Sequence, residues 1–68
     1  MSASIRVNGK DEGLTVPTVA ELLKARGIER ARGVAVALNG RVVPASAWRE
    51  QRLAAGDRIE IVRPFGGG

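Results

Sequence analysis

The chain contains no cysteine and no histidine, and its only aromatic residues are Trp48 and Phe65. The lack of cysteine excludes disulfides, thiolate zinc sites and cysteine nucleophiles. Without histidine, a metal site would depend on carboxylates, and general base catalysis near neutral pH would lack its usual side chain. These absences argue against an autonomous enzyme, and we expect no bound metal and no bound cofactor.

The chain also lacks a long apolar run. No stretch approaches the ~20 apolar residues that a membrane span requires, and residues 1–4 lack the basic start and apolar run of a signal peptide. We therefore expect a cytoplasmic protein with no membrane partner. Its 68 residues, of which 44% are hydrophobic, are enough for one domain with a small, largely aliphatic core.

Basic residues outnumber acidic ones, and the formal net charge is +4. The densest basic stretch contains Lys24, Arg26, Arg30 and Arg32. Nucleic-acid binding is one interpretation, but the chain has neither the stacking aromatic residues of single-strand binders nor a second helix for a helix-turn-helix. The other interpretation is a solvated helix end, where cations lie near the negative end of the helix dipole. We favour the second and expect no nucleic-acid partner.

A hairpin is predicted at the start of the chain. Residues 4–8 alternate apolar and polar side chains, which is the period of a half-buried strand. Asn8-Gly9 begins a turn, and the polar residues 10–13 carry the chain round. Alternation resumes over residues 14–16 and ends at Pro17, so we place the second strand there.

A helix follows this hairpin. Thr18 is a good N-cap, and Glu21 stands three residues later as its capping-box partner. Apolar residues then recur at helical spacing, at Val19, Leu22 and Leu23. Gly27 is placed to end the helix, because it accepts the left-handed backbone conformation that closes a helix C-terminus.

The second half of the chain predicts a second hairpin and a final strand. Residues 34–38 form a short apolar run in which Val34, Val36 and Leu38 would share one face. Asn39-Gly40 is a strong hairpin signal, and residues 41–43 form the return strand before Pro44.

A crossover then leads to the last strand. Ser46 can cap a short helical turn, and we expect Trp48 to pack the crossover against the core as a structural residue. Gly56-Asp57 turns the chain into residues 58–62, where Ile59 and Ile61 alternate with charged neighbours.

The predicted order is strand, strand, helix, strand, strand, short helix, strand. One main helix on one face of a mixed sheet of about five strands is an α+β architecture of the ubiquitin-like β-grasp type. We assign residues 1–63 to this domain and residues 64–68 to a flexible C-terminal tail.

The element order, the size and the glycine-rich end resemble the ubiquitin-like sulfur carriers, and among them the ThiS-like carriers of thiamine biosynthesis. The most telling stretch is residues 34–44, followed by Trp48, Leu53 and the Gly56-Asp57 turn. A third glycine, Gly66, departs from the usual diglycine pattern. The MoaD-like small subunit of molybdopterin synthase shares this fold and tail, although those chains are usually longer, and it is the alternative.

The resemblance implies chemistry at the Gly68 carboxylate. An E1-like, ThiF-like adenylyltransferase would use ATP and magnesium to adenylate it, and a cysteine desulfurase would supply persulfide sulfur for a thiocarboxylate. A ThiG-like thiazole synthase would accept that sulfur, so the chain is a protein co-substrate and not a catalyst. Gly66 and Gly67 have no Cβ, so the tail can thread a narrow channel.

Partner binding is predicted at two places. Phe65 would position the entry of the tail, and Ala35 and Ala37 would leave a shallow docking surface, since they point opposite to their apolar neighbours in the strand. A hypothesis from a different class is a non-covalent ubiquitin-like binding module with an idle tail. The two hypotheses separate on whether the C-terminus changes mass when it meets an activating enzyme, ATP and a sulfur source.

Overall fold

The computed structural model describes residues 3–29 and 32–63, which form a five-stranded mixed sheet with a helix on one face. The elements are β1 (Ser4–Val7), β2 (Lys10–Gly13), α1 (Val19–Ala25), β3 (Ala35–Leu38), β4 (Arg41–Val43), a 3₁₀ turn (Ala45–Ala47) and β5 (Arg58–Val62). The strand order is β2-β1-β5-β3-β4, and β1 and β5 run parallel while the other three pairs are antiparallel. The predicted β-grasp architecture is confirmed.

The core lies between α1 and one face of the sheet. Its buried residues are aliphatic apart from one tryptophan: Ile5, Val7, Val19, Leu22, Leu23, Val36, Val43, Trp48, Leu53, Ile59 and Ile61. Strand side chains alternate between the two faces, so the residues between these buried positions point to the opposite side. That opposite side, the open face of the sheet, carries exposed side chains.

The helix begins and ends where the sequence predicts. The Thr18 hydroxyl accepts a hydrogen bond from the Glu21 N–H at 3.2 Å, which caps the N-terminus. At the other end Gly27 has φ +77°, and the Ile28 N–H donates to the Leu23 carbonyl at 2.9 Å, as in a Schellman cap. No helix in the described part of the chain is long and apolar enough to span a membrane.

The second strand of the first hairpin was predicted wrongly. It lies at Lys10–Gly13 and not at residues 14–16, because Asn8 and Gly9 both take positive φ and form a tight two-residue turn. β2 is an exposed edge strand, so its polar sequence gave no alternating signal. Residues 14 and 16 instead pack against the core outside any strand.

The second hairpin agrees with its prediction. Asn39 and Gly40 have φ values of 52° and 86°, which suit a tight hairpin turn, and β4 returns directly along β3. Val36 is buried on the core face, with Val34 and Leu38 partly buried against the core, whereas Ala35 is exposed. The predicted division of this strand into two faces is therefore confirmed.

The crossover differs from its prediction in one detail. Ser46 lies inside the 3₁₀ turn, and Pro44 takes the cap position without a side-chain hydrogen bond, so Ser46 is not the cap. Trp48 is structural as predicted: it is 8% exposed, and its Nε1–H donates to the Val43 carbonyl at 2.8 Å. The indole thus fastens the crossover to the end of β4.

Candidate docking surface and C-terminal site

The predicted reactive tail follows the central strand of the sheet. Phe65, Gly66, Gly67 and Gly68 lie outside the residues that the structure describes. β5 carries the chain toward them, and its last residue, Val62, is paired with Ala35 at the start of β3. The described part of the C-terminal site is therefore the end of β5 and the sheet around it.

The structure places Ala35 and Ala37 on the open face, beside two exposed valines. Antiparallel pairing sets Ala35 opposite Val62 and Ala37 opposite Val42, and directly paired residues point to the same face. Val42 is 78% exposed and Val62 is 64% exposed. We call these four residues the open-face patch. Sequence reasoning found its two alanines and missed both valines, which are its larger apolar members.

The rest of the open face is mostly polar, with several charged side chains. On β1 and β2, the Arg6 Nε donates to the Asp11 Oδ1 at 3.0 Å, and Arg58 of β5 lies next to Arg6 in the parallel ladder. The hydrogen bond that Arg6 donates to Asp11, together with the negative charge of that carboxylate, raises the pKa of the Arg6 guanidinium. Both side chains are exposed, so this ion pair contributes little to stability. It keeps this half of the face polar, and among the described residues the large exposed apolar side chains are the two valines of the open-face patch.

The described residues of the basic stretch near the helix end are exposed to solvent. Lys24, Arg26 and Arg32 are exposed, while Arg30 lies outside the described residues. The Arg26 guanidinium forms an ion pair with the Glu12 carboxylate of β2. This arrangement fits the solvated helix end that the sequence favoured, and the absence of a nucleic-acid partner stays a prediction.

Asn8 holds the end of β5, which sequence reasoning did not anticipate. Its backbone N–H donates to the Ile59 carbonyl at 2.9 Å. Its side-chain Oδ1 accepts from the Ile61 N–H at 2.7 Å, and its Nδ2 donates to the Ile61 carbonyl at 3.2 Å. Asn8 therefore extends the hold on β5 one step beyond the end of β1.

Asn39 holds the start of β5 in a similar way. Its backbone N–H donates to the Arg58 carbonyl at 2.7 Å, and its Oδ1 accepts from the Arg58 N–H at 2.8 Å. Its Nδ2 donates to the Asp57 Oδ1 at 3.0 Å. The two Asn-Gly turns thus fix β5 at opposite ends.

The chain matches a known protein family over nearly its whole length. The model of the ThiS family matches residues 5–68, nearly the whole chain and including its glycine-rich end. The chain belongs to the ThiS family. A search of curated protein sequences found no match.

Two solved structures of a thiamine biosynthesis protein from Geobacter metallireducens are similar to this ThiS-family chain. The crystal structure of that protein, named ThiS, is 36% identical, with a TM-score of 0.75, and the alignment covers 96% of this chain and 99% of that one. The solution NMR structure is 34% identical, with a TM-score of 0.76, and the alignment covers 96% and 87%. The resemblance found in the sequence is confirmed: the chain is a small ThiS-type carrier of thiamine biosynthesis, which acts with enzymes of that pathway.

Proposed function

We propose that the chain carries sulfur as a thiocarboxylate on Gly68 and donates it for thiazole formation in thiamine biosynthesis. The observation that supports this most is the ThiS-family match, which runs through Gly68 and so includes all three glycines. The described residues form a domain in which the central strand, β5, leads toward that end.

The proposed chemistry begins with a poor electrophile. An E1-like, ThiF-like partner converts the Gly68 carboxylate to an acyl-adenylate with magnesium-bound ATP, and pyrophosphate leaves. The outer sulfur of a persulfide, generated by a cysteine desulfurase, then attacks the acyl carbon and displaces AMP. A thiol cleaves the resulting disulfide bond and releases the thiocarboxylate, which a ThiG-like thiazole synthase consumes. We expect these steps to take place in the cytoplasm.

In this proposal the partner enzymes supply the catalytic groups and the chain supplies the reacting carboxylate. It has no cysteine or histidine to act as nucleophile or base, so catalytic groups must come from the partners. Residues 63–68 span at most roughly 20 Å when extended, at about 3.3 to 3.6 Å per residue. A partner that takes hold of Gly68 must therefore also approach the end of β5.

We assign the docking of the activating enzyme to the open-face patch. Val62 belongs both to the patch and to the last step of β5, so the patch adjoins the point from which the chain leads to the tail. Val42 and Val62 are exposed apolar side chains in a mostly polar face, and burying such side chains is the main favourable contribution to association.

The two alternatives are weaker. The ThiS-family match and the two thiamine-biosynthesis neighbours favour the thiamine pathway over a MoaD-like role. A purely non-covalent binding module would use the open-face patch as well, but it would leave the glycine-rich end without a role. Only the sulfur-carrier function uses both features.

Intact mass spectrometry tests the proposal. The chain is incubated with a ThiF-like enzyme, magnesium, ATP and a desulfurase with cysteine, and a variant that ends at Arg63 serves as the control. We expect the mass increase of one oxygen-to-sulfur exchange at Gly68, dependent on ATP and absent in the control. An unchanged mass, together with normal binding to the enzyme, would favour the non-covalent module instead.

A further inference from the structure

The Asn8 side chain makes the hydrogen bonds to the Ile61 backbone that a longer β1 would otherwise make. Backbone groups of residues two apart in a strand point to the same neighbouring strand, so Ile59 and Ile61 both face β1. β1 ends at Val7, and the Asn8 N–H already pairs with Ile59. A carboxamide has both an acceptor and a donor, and Asn8 uses them to satisfy the N–H and the carbonyl of Ile61.

Asn8 also has an ordinary role in its turn. Asparagine tolerates positive φ, and Asn8, at φ 50°, occupies the first position of the Asn-Gly turn that closes the first hairpin. Turn formation does not require any contact with Ile61. The turn explains the backbone of Asn8, whereas its side chain is committed to β5.

We propose that Asn8 is a positioning residue for the reaction at Gly68. Its side chain fixes the backbone of Ile61 and thereby sets the point and direction from which Val62, Arg63 and the tail enter a partner. The inference rests on the proposed function, and it deepens that function by naming a residue that lies outside both the tail and the open-face patch.

The physical reason lies in how β5 is held near its end. On the β3 side, Val62 is paired with Ala35. On the β1 side, the hold on Ile61 comes from the Asn8 side chain. Without that side chain the end of the strand samples more backbone conformations, and the partner must order them again on binding. The loss should therefore raise KM for the carrier and leave the chemical step, kcat, largely unchanged.

Asn39 provides a matched control. It also lies in an Asn-Gly turn at positive φ, and it also pairs through its side chain with a β5 backbone group, but at Arg58, the opposite end of the strand. Substitution by glycine preserves positive φ at either position, so Asn8→Gly and Asn39→Gly remove the side chains without straining the turns. Both variants should weaken the sheet, and only one should affect the tail.

The experiment compares wild type, Asn8→Gly and Asn39→Gly as substrates of a ThiF-like enzyme, with concentrations corrected for the folded fraction. For Asn8→Gly we expect KM to rise about five- to tenfold, as if roughly one residue had to be ordered again, with kcat within about twofold. For Asn39→Gly we expect both constants to stay within about twofold of wild type. Amide hydrogen exchange at Ile61 should accelerate in Asn8→Gly and not in Asn39→Gly.

The outcomes distinguish the proposed function of the chain from the positioning role of Asn8. A wild-type chain that forms no acyl-adenylate and no thiocarboxylate overturns the proposed function, and the positioning role with it. A wild-type chain that reacts, while the two folded variants share the same KM, overturns the positioning role alone. A fall in kcat without a rise in KM for Asn8→Gly also contradicts it, because the effect would then lie in the chemical step.

Discussion

Replacing Ala37 with lysine should block the open-face patch while leaving the domain folded. Ala37 lies directly opposite Val42 on β4 and opposite Glu60 on β5. Ala37→Glu would also introduce a charge, but it would place two carboxylates in one cross-strand pair, which destabilises a sheet by roughly 0.2 to 1 kcal/mol. Ala37→Lys faces Glu60 with the opposite charge and is therefore the cleaner perturbation.

The expected magnitude follows from the exposure of the two valines. Full burial of a valine side chain is worth at least about 1.5 kcal/mol, so covering side chains that are 78% and 64% exposed contributes about 1 kcal/mol each. A lysine beside Val42 and diagonal to Val62 keeps a partner from covering both. We expect the affinity for the activating enzyme to fall about ten- to thirtyfold, which corresponds to up to about 2 kcal/mol.

Isothermal titration calorimetry with the ThiF-like enzyme measures the affinity, and circular dichroism melting shows whether each variant is folded. Ser4→Lys is the matched control, because Ser4 is exposed on the open face in β1. The paired positions of β1 and β5 are at Arg58 and Ile59, at the end of β5 that lies away from Val62. This control adds the same side chain and the same charge, and we expect its affinity to equal that of wild type.

Two results would count against docking at the open-face patch. If folded Ala37→Lys binds as tightly as wild type, the patch is not the docking surface. If Ser4→Lys weakens binding as much as Ala37→Lys, the effect comes from net charge and not from the patch.

Three further predictions concern the crossover and the tail. Trp48→Ala should lose about 3 to 5 kcal/mol of unfolding free energy in urea titrations followed by circular dichroism, because the indole is buried; wild-type stability would contradict its structural role. Phe65→Ala should lower the rate of adenylation more than the melting temperature, and a large stability loss with normal activation of the folded fraction would argue that the ring packs on the sheet. In assays of thiocarboxylate yield, Gly67→Ala should be severe and Gly66→Ala the mildest, and one residue added after Gly68 should reduce the rate about a hundredfold, since misplacement of about 1 Å has such effects. Equal damage from the two glycine substitutions would show that the partner reads both positions closely.

Local sequence signals predicted the helix and the second hairpin, whose ends are set by contacts between residues close in sequence. Thr18 and Gly27 bound the helix through contacts within a few residues, and Asn39-Gly40 specifies its turn through its own backbone conformation. β2 was missed because a strand at the sheet edge, with no buried residue on either face, needs no apolar alternation.

The residues of the candidate site were harder to predict from the sequence than the helix and the turns, for two different reasons. Val42 could have been placed opposite Ala37 by counting outward from the two-residue turn, because turn length sets hairpin register. Asn8 could not have been paired with Ile61, which lies 53 residues away. Nothing in the neighbourhood of either residue encodes which strands lie side by side in the sheet.

The central place of β5 has a consequence for how the protein is made. During synthesis the two hairpins and the helix emerge first, and short-range turns such as Asn-Gly close within microseconds. Each hairpin then presents an unpaired edge, because β1 and β3 have no common neighbour until β5 is available. We expect the closure of the long connection between β1 and β5 to be the slow step, because pairing between distant segments costs the most loop-closure entropy. A nascent chain that stops before Arg58 therefore exposes two unpaired strand edges that can pair with other chains, and it lacks the open-face patch. A partner that requires the patch then binds only carriers whose last strand has been synthesised.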